Sequence, residues 1–185
     1  MWCLTGLFRG LRMAVPSGHM RYNKVVTKPS PFDALTVRIL PVDHPDAQTL
    51  SDAQQRELGS IFGFDDLNRL DPVPFTLPDG AFVVVYDGDD LVACGGVSAL
   101  SALPGHAEIK RMYTVPDRRR QGISRWLVTV LEDHARTLGY RRIGLETGNT
   151  MTWAISLYAG MGYLPIPTYP PYIGNGYSVC FAKDL

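Results

Sequence analysis

The chain has 185 residues, a length that predicts one domain with or without a tail. Its 18 basic and 18 acidic residues cancel, and 45% of the residues are hydrophobic, which is typical of a globular protein with a substantial core. No apolar run approaches the roughly 20 residues of a membrane-spanning helix. Three cysteines without paired spacing exclude a disulfide scaffold and a zinc cluster. We expect a cytoplasmic protein without a metal ion.

The zero net charge conceals an uneven distribution along the chain. Residues 1–32 sum to +5, residues 33–105 to −9 and residues 106–145 to +5. A basic block after an acidic block favours two faces with different partners, one anionic and one cationic. The alternative is an uneven surface charge without a role.

The first 34 residues are poor in acids and lack a sustained hydrophobic period. This composition is typical of an organellar transit peptide, but we favour a disordered tail or an over-long gene start that precedes a true initiator at Met20. We therefore leave residues 1–34 out of the fold and assign residues 35–185 to the domain.

The first half of that domain predicts two strand regions and a helix. Residues 35–40 favour a strand, and Ser51 and Gln54 resemble a capping box for a helix near 46–62. A short helical piece is expected at 65–70, before a proline-rich loop.

A hairpin follows that loop. Residues 81–86 and 91–100 favour two strands joined by an Asp-Gly-Asp turn at 87–89. The pair Gly95-Gly96 inside the second strand indicates a bulge or a close backbone approach.

The second half alternates strands and helices. Strands are expected at 106–115, 141–146 and 177–183, with helices at 121–138 and 150–161. This order predicts one α/β domain in which a mixed sheet is flanked by helices.

The segment 115–124 (VPDRRRQGIS) joins a strand to an amphipathic helix. A helix N-terminus offers free N–H groups to phosphate oxygens, Gly122 admits a close approach, and Ser124 is small. The loop matches neither GxxxxGK[ST] nor GxGxxG, so we favour a pyrophosphate ligand over a nucleoside triphosphate or NAD. A solvated turn and a nucleic-acid patch are the alternatives, and the −9 segment disfavours the latter.

Two motifs resemble those of the GNAT superfamily of N-acetyltransferases, over about residues 36–185. Arg119-x-x-Gly122-x-Ser124 is similar to its (Arg/Gln)-x-x-Gly-x-(Gly/Ala) motif. Ala154-Ile-Ser-Leu-Tyr158-Ala-Gly-Met-Gly162-Tyr163 is similar to A-I-x-L-Y-x-x-x-G-(F/Y). The resemblance implies the GNAT acyl-CoA N-acyltransferase fold, with a single mixed, mostly antiparallel sheet.

The resemblance also implies acetyl-CoA as co-substrate and a primary amine as acceptor. The positions that it implies for cofactor binding are Met112, Tyr113, Thr114, Arg119, Arg120, Gln121, Gly122, Ile123 and Ser124. The chain departs from the family pattern in three places. Ser124 replaces Gly or Ala, and Met151 replaces a frequent Asn. Arg120 stands where Gly is frequent, and its side chain would either clash with the cofactor or contact a phosphate.

For catalysis the resemblance implies that Tyr158 protonates the leaving thiolate, with packing in the core as the alternative. The resemblance also favours Glu108 as the base, directly or through water, because its position eleven residues before Arg119 resembles that of the strand glutamate that some family members use as base. A surface carboxylate paired with Lys110 is the alternative for Glu108, and His106 is a further candidate base.

We expect the acceptor to be a small-molecule or peptide amine. Asp65, Asp66, Asp71 and Asp79 would attract a cationic one such as a polyamine, an amino sugar or a lysine side chain. Tyrosines 163, 169, 172 and 177 form either an aromatic lid or a rigid hairpin, and Cys180 is expected in the core. We expect no nucleic-acid or membrane partner; family members are often dimers. A non-catalytic acyl-CoA-binding module is the rival function.

Overall fold

The computed structural model describes residues 31–63 and 73–185, and within them seven strands form one sheet with helices on both faces. The strands are β1 (Leu35–Ile39), β2 (Ala81–Asp87), β3 (Asp90–Ala99), β4 (His106–Thr114), β5 (Arg142–Gly148), β6 (Leu164–Ile166) and β7 (Ser178–Asp184). The helices are α1 (Pro45–Phe62), α2 (Ile123–Thr137) and α3 (Thr152–Ala159). The predicted α/β class is therefore confirmed.

The strand order is β1-β2-β3-β4-β5-β7-β6, and every neighbouring pair is antiparallel except β4 and β5. These two parallel strands pair only from His106 with Arg142 to Ile109 with Leu145. Beyond that point β4 continues to Thr114 and β5 to Gly148 without pairing to each other. The two strands therefore separate and leave a cleft in the middle of the sheet.

Each face of the sheet packs against its own helix. On β2, Val83 and Val85 face the core beneath α2, whereas Phe82 and Val84 face the core beneath α1. The amphipathic character predicted for α2 is confirmed, because Ile123, Leu127 and Leu131 are buried. Burial of each such side chain contributes roughly 1.5–3 kcal/mol.

The glycine pair in β3 lies where the sequence predicted a bulge or a close approach. The pairing of β3 with β4 shifts register between Cys94 and Gly96. A Cβ atom on Gly96 would lie 2.4 Å from Cε1 of Phe75, and one on Gly95 would lie 2.8 Å from Sδ of Met112. Both expectations are confirmed, since Gly95 and Gly96 admit neighbours on opposite faces.

Two local predictions are wrong. α1 begins at Pro45, and its N-cap is His44. The Nδ1 atom of His44 accepts a hydrogen bond from the Asp46 N–H at 3.2 Å. Ser51 is buried inside the helix. The predicted capping box does not exist because an earlier residue caps the helix. The sequence also missed β6, a three-residue edge strand that contains Pro165, which lacks a backbone donor.

The ends of the described ranges bear on two further predictions. Phe32 stacks on Trp126 of α2 with ring centroids 5.3 Å apart, so the packed domain includes residues just before Leu35. Residues 1–30 and the expected helical piece at 65–70 lie outside the described residues. Within the described ranges, no helix combines the length and apolarity needed to cross a membrane.

Candidate active site

The separation of β4 from β5 opens a cavity of about 1710 Å³. α1 and the segment 171–178 line it on one face of the sheet, and the start of α2 together with α3 lines it on the other. Both sequence motifs reach this cavity, through Arg119 to Ser124 and through Ala154 to Tyr158. The cleft is therefore where the motif residues and the C-terminal segment meet.

β4 changes direction inside the cleft. Arg111 has a φ of 58°, a left-handed conformation that a side-chain-bearing residue adopts only when its surroundings enforce it. Gln54 of α1 donates a hydrogen bond to the carbonyl oxygen of Met112 at 3.0 Å. Arg119 Nε donates to the carbonyl oxygen of Thr114 at 2.9 Å. Side chains from two other segments thus fix the backbone of residues 112–114, the stretch predicted to hold the thioester arm.

The loop before α2 has the backbone geometry of an anion site. Gly122 has a φ of 82° and is the N-cap of α2, so the free N–H groups of the first helical turn face away from the helix. Arg120 has a φ of 61°, a left-handed conformation that glycine adopts more readily than a residue with a side chain. Ser124 Oγ lies 3.0 Å from Thr114 Oγ1, which connects the loop to the end of β4.

The three loop arginines have different surroundings. Arg118 pairs with Asp87, and Arg119 pairs with Glu57 at 2.6 Å. Arg120 is exposed and makes no ion pair with any described residue. The backbone and Arg120 are therefore what the loop offers to an anion, while Arg118 and Arg119 hold the loop in place.

The predicted cofactor positions do not all reach the cavity. Gln121 and Ile123 are not part of its lining, because Gln121 bonds to the Asp117 carbonyl and Ile123 is buried in the core. The other seven line it: Met112, Tyr113, Thr114, Arg119, Arg120, Gly122 and Ser124.

Tyr158 on α3 is buried and also lines the cavity. Its ring meets that of Tyr163 edge to face, with centroids 5.6 Å apart. Burial raises the pKa of Tyr158 well above its usual value of about 10, so the hydroxyl keeps its proton at neutral pH. Core packing and access to the cavity, treated as alternatives at the sequence level, occur together.

Glu108 on β4 is buried, and both of its carboxylate oxygens have partners. Tyr169 donates to Oε1 at 2.9 Å, and Lys110 lies 2.9 Å from Oε2. Burial alone would lower the pKa of Lys110, but the charge of Glu108 and its hydrogen bond raise it. The ion pair considered for Glu108 is therefore present, but it is buried and lines the cavity. His106, at the far end of β4, is not part of the lining.

Glu146 on β5 is a cavity residue that the sequence analysis missed. It is the first β5 residue beyond the last pair with β4, is half-buried, and accepts a hydrogen bond from the Ser178 hydroxyl. Burial raises its pKa, and the neighbouring Glu108 adds to that effect. An acid at the end of an otherwise apolar strand was the available signal in the sequence.

The C-terminal tyrosines divide between core and cleft. Tyr163 and Tyr169 are buried, whereas Tyr172 and Tyr177 line the cavity, so both interpretations of the aromatic segment apply in part. Cys180 is buried, as predicted. Asp79 does not line the cavity. The other acids assigned to the acceptor, Asp65, Asp66 and Asp71, lie outside the described residues.

Comparison with known proteins decides the family. The sequence profile of the acetyltransferase (GNAT) family matches residues 46–163, more than half of the chain. The chain belongs to the GNAT family. It is therefore an acyltransferase, and the resemblance found in the two motifs is confirmed.

Individual relatives agree with this family. An "IAA acetyltransferase" of Azospirillum brasilense is 32% identical over 70% of this chain and 84% of its own length. A solved candidate acyl-CoA N-acyltransferase of Klebsiella pneumoniae is 26% identical, has a TM-score of 0.68 and aligns over 83% of this GNAT protein and 99% of its own chain. A GNAT acetyltransferase of Elizabethkingia anophelis, solved with acetyl-CoA bound, shares the fold at 18% identity and a TM-score of 0.57 over 83% and 99% of the two chains.

Proposed function

We propose that this GNAT protein transfers an acetyl group from acetyl-CoA to a primary amine by direct attack. The observation that carries the proposal is the cleft between β4 and β5, which brings together a helix N-terminus suited to an anion, a protonated buried tyrosine and two carboxylates. The same fold binds acetyl-CoA in the protein of Elizabethkingia anophelis.

The loop suits the pyrophosphate of CoA because it presents backbone donors rather than a pocket of side chains. Gly122 and the start of α2 supply N–H groups and the positive end of the helix dipole. Arg120, which makes no ion pair within residues 31–63 and 73–185, adds a positive charge at the edge of the loop. The backbone N–H groups near Met112 to Thr114 stabilise the negative charge that develops on the thioester oxygen.

In the reaction the amine nitrogen bonds to the thioester carbon, the carbon–sulfur bond breaks, and the thiolate leaves with a proton. Tyr158 donates that proton, because it lines the cavity and its hydroxyl carries its proton at neutral pH. The amine must lose a proton to a base on the acceptor face of the cleft.

Two carboxylates are candidates for that base. The sequence favoured Glu108, but both of its oxygens are engaged by Tyr169 and Lys110. Glu146 accepts a hydrogen bond from Ser178 on one oxygen, and burial raises its pKa above that of an ordinary glutamate, which favours proton acceptance. We propose that Glu146 takes the proton, directly or through water, and that Glu108 holds Lys110 and Tyr169 in position.

The test is calorimetric titration with acetyl-CoA, combined with release of free CoA over a panel of primary amines. We expect binding and acceptor-dependent release. Binding without release on any amine would favour the non-catalytic module, and absence of binding at millimolar acetyl-CoA would overturn the proposal. A salt-dependent shift with DNA or RNA would favour the nucleic-acid alternative.

The cytoplasmic location, a small-molecule or peptide acceptor, and a homodimer belong to the proposal as well. Fractionation of the native host and light scattering of the purified protein test the first and the last.

A further inference from the structure

The acceptor face of the cavity has apolar walls. On one side stand Leu58, Ile61 and Phe62 of α1, and on the other Tyr172 and Tyr177 of the C-terminal segment. We call these five residues the apolar walls. The wall on α1 and the wall on the C-terminal segment enclose the space above Glu146 and Ser178.

The exposure of these walls is concentrated at the cavity. Six large hydrophobic side chains are exposed among the described residues, and two of them, Ile61 and Tyr177, belong to the apolar walls. A third, Trp153, lines the same cavity from α3, on the other face of the sheet. Ile61 is 41% exposed and Tyr177 is 59% exposed. Single exposed apolar side chains scattered over a surface are normal. Exposed apolar side chains that cluster in a cleft indicate a binding site for an apolar ligand.

Phe62 extends the apolar surface down to the end of β5. A Cβ atom on Gly148 would lie 2.6 Å from Cζ of Phe62, so the ring occupies the space where a β5 side chain would stand. Gly148 and Glu146 point to the same face of the sheet, since side chains alternate along a strand. The aromatic ring of Phe62 is therefore a neighbour of the carboxylate of Glu146 along the cavity floor.

The charged side chains that β4 and β5 contribute to the bottom of the cavity balance each other. Two carboxylates, Glu108 and Glu146, face two cations, Lys110 and Arg111, and all four line the cavity. Glu108 and Lys110 neutralise each other at 2.9 Å. A polyamine or an amino sugar with several cationic groups needs an excess of carboxylates, which the described part of the cavity does not supply.

We infer that the acceptor is a primary amine with an apolar or aromatic body, which packs between α1 and Tyr177 while its amino group reaches Glu146. This inference rests on the proposed function, because it names the acceptor class of the same site. The amine carries one positive charge, which matches one available carboxylate, and the body replaces water on the apolar walls.

The acceptor panel tests the inference with three amines. 2-Phenylethylamine has one charge and an aromatic body, ethylamine has the same amino group without the ring, and spermidine has several charges. We expect kcat/KM for 2-phenylethylamine to exceed that for ethylamine by about 100-fold, the scale of discrimination that apolar pockets reach. Spermidine should be the poorer substrate as well. Titration of each amine into the protein saturated with CoA measures binding without turnover.

Two variants connect the preference to the walls. Tyr177→Ser and Ile61→Ser remove partly exposed side chains, so both proteins should fold. Each should lower the ratio of kcat/KM for 2-phenylethylamine to that for ethylamine by about tenfold, the lower end of the discrimination that one apolar contact in a pocket supplies. Leu164→Ser is the matched control, because Leu164 is 69% exposed on edge strand β6 and lies outside the cavity lining.

The outcomes separate this inference from the proposed function. CoA release that is fastest with spermidine, or equal for 2-phenylethylamine and ethylamine, overturns the inference and supports the proposed function. Binding of 2-phenylethylamine that the wall variants weaken, without CoA release on any amine, supports the apolar site and overturns the proposed function. Absence of both binding and release overturns both.

Discussion

The two halves of the cleft are built from different parts of the chain. The cofactor half consists of backbone that is contiguous in sequence, from the end of β4 through Gly122 to the first turn of α2. The acceptor half consists of side chains from α1, β4, β5 and the C-terminal segment, which are distant in sequence. A shared ligand can be recognised by a backbone shape that a short motif encodes, whereas acceptor selectivity depends on side chains that the fold assembles. Each variant below should affect one half and leave the other intact.

The largest expected effect is a loss of kcat without a loss of acetyl-CoA affinity. Tyr158→Phe should lower kcat by about 100-fold, the lower range for loss of a general acid, while the Kd of acetyl-CoA stays within about twofold. The measurement is steady-state CoA release beside calorimetry. Tyr140→Phe is the control, because the Tyr140 hydroxyl bonds to the Asp79 carbonyl away from the cavity. An unchanged kcat would remove Tyr158 from the mechanism.

The next variants concern the base on the acceptor side. A base must be deprotonated to act, and burial raises the pKa of Glu146, so kcat/KM should fall as the pH drops through a value above the ordinary glutamate pKa of about 4.3. Glu146→Gln should abolish that acidic limb and lower kcat/KM by up to about 100-fold. Acetyl-CoA affinity should not change.

Glu108→Gln provides the comparison. Because Glu108 holds Lys110 and Tyr169 in position, its replacement should lower kcat/KM but leave the fall of kcat/KM at low pH in place. If the fall of kcat/KM at low pH disappears with Glu108→Gln and persists with Glu146→Gln, then Glu108 is the base.

The same division decides how much could be predicted from the sequence. Six of the seven described strands, the three described helices and the loop before α2 follow from local patterns, and Gly122 adopts a left-handed conformation that glycine favours. Glu146 escaped notice because its importance comes from β4 and β5 parting at that residue, a tertiary event. The engagement of Arg119 by Glu57, 62 residues away, and the bond from Gln54 to Met112 are equally invisible to local patterns. Long-range contacts are what the sequence alone does not provide.

A smaller effect is expected in the cofactor half. Gly122→Ala introduces a Cβ atom at a φ of 82° and 3.3 Å from Cζ of Phe32, so the left-handed backbone costs about 1–2 kcal/mol. Acetyl-CoA affinity should fall by about tenfold as the loop relaxes, while the ratio of kcat/KM between amines stays constant. Gly88→Ala is the control, because its φ is 60° in the β2–β3 turn and its Cβ atom meets nothing within 4 Å. It should lose similar stability and keep its affinity for acetyl-CoA.

The smallest effect concerns Arg120, where backbone strain and charge oppose each other. Its φ of 61° costs about 1 kcal/mol relative to glycine, so Arg120→Gly should raise the free energy of unfolding by several tenths of a kcal/mol after the entropy of glycine is subtracted. The same variant removes a cation that has no described ion-pair partner, and acetyl-CoA affinity should fall by about threefold at low salt, with less difference at high salt.

Arg120→Lys separates the two causes, because it keeps the charge and the strain and should match the parent in both measurements. If Arg120→Gly binds acetyl-CoA more tightly than the parent, the arginine side chain obstructs the loop instead of contacting a phosphate. The cofactor half would then depend on backbone alone, and its contrast with the side-chain-built acceptor half would be complete.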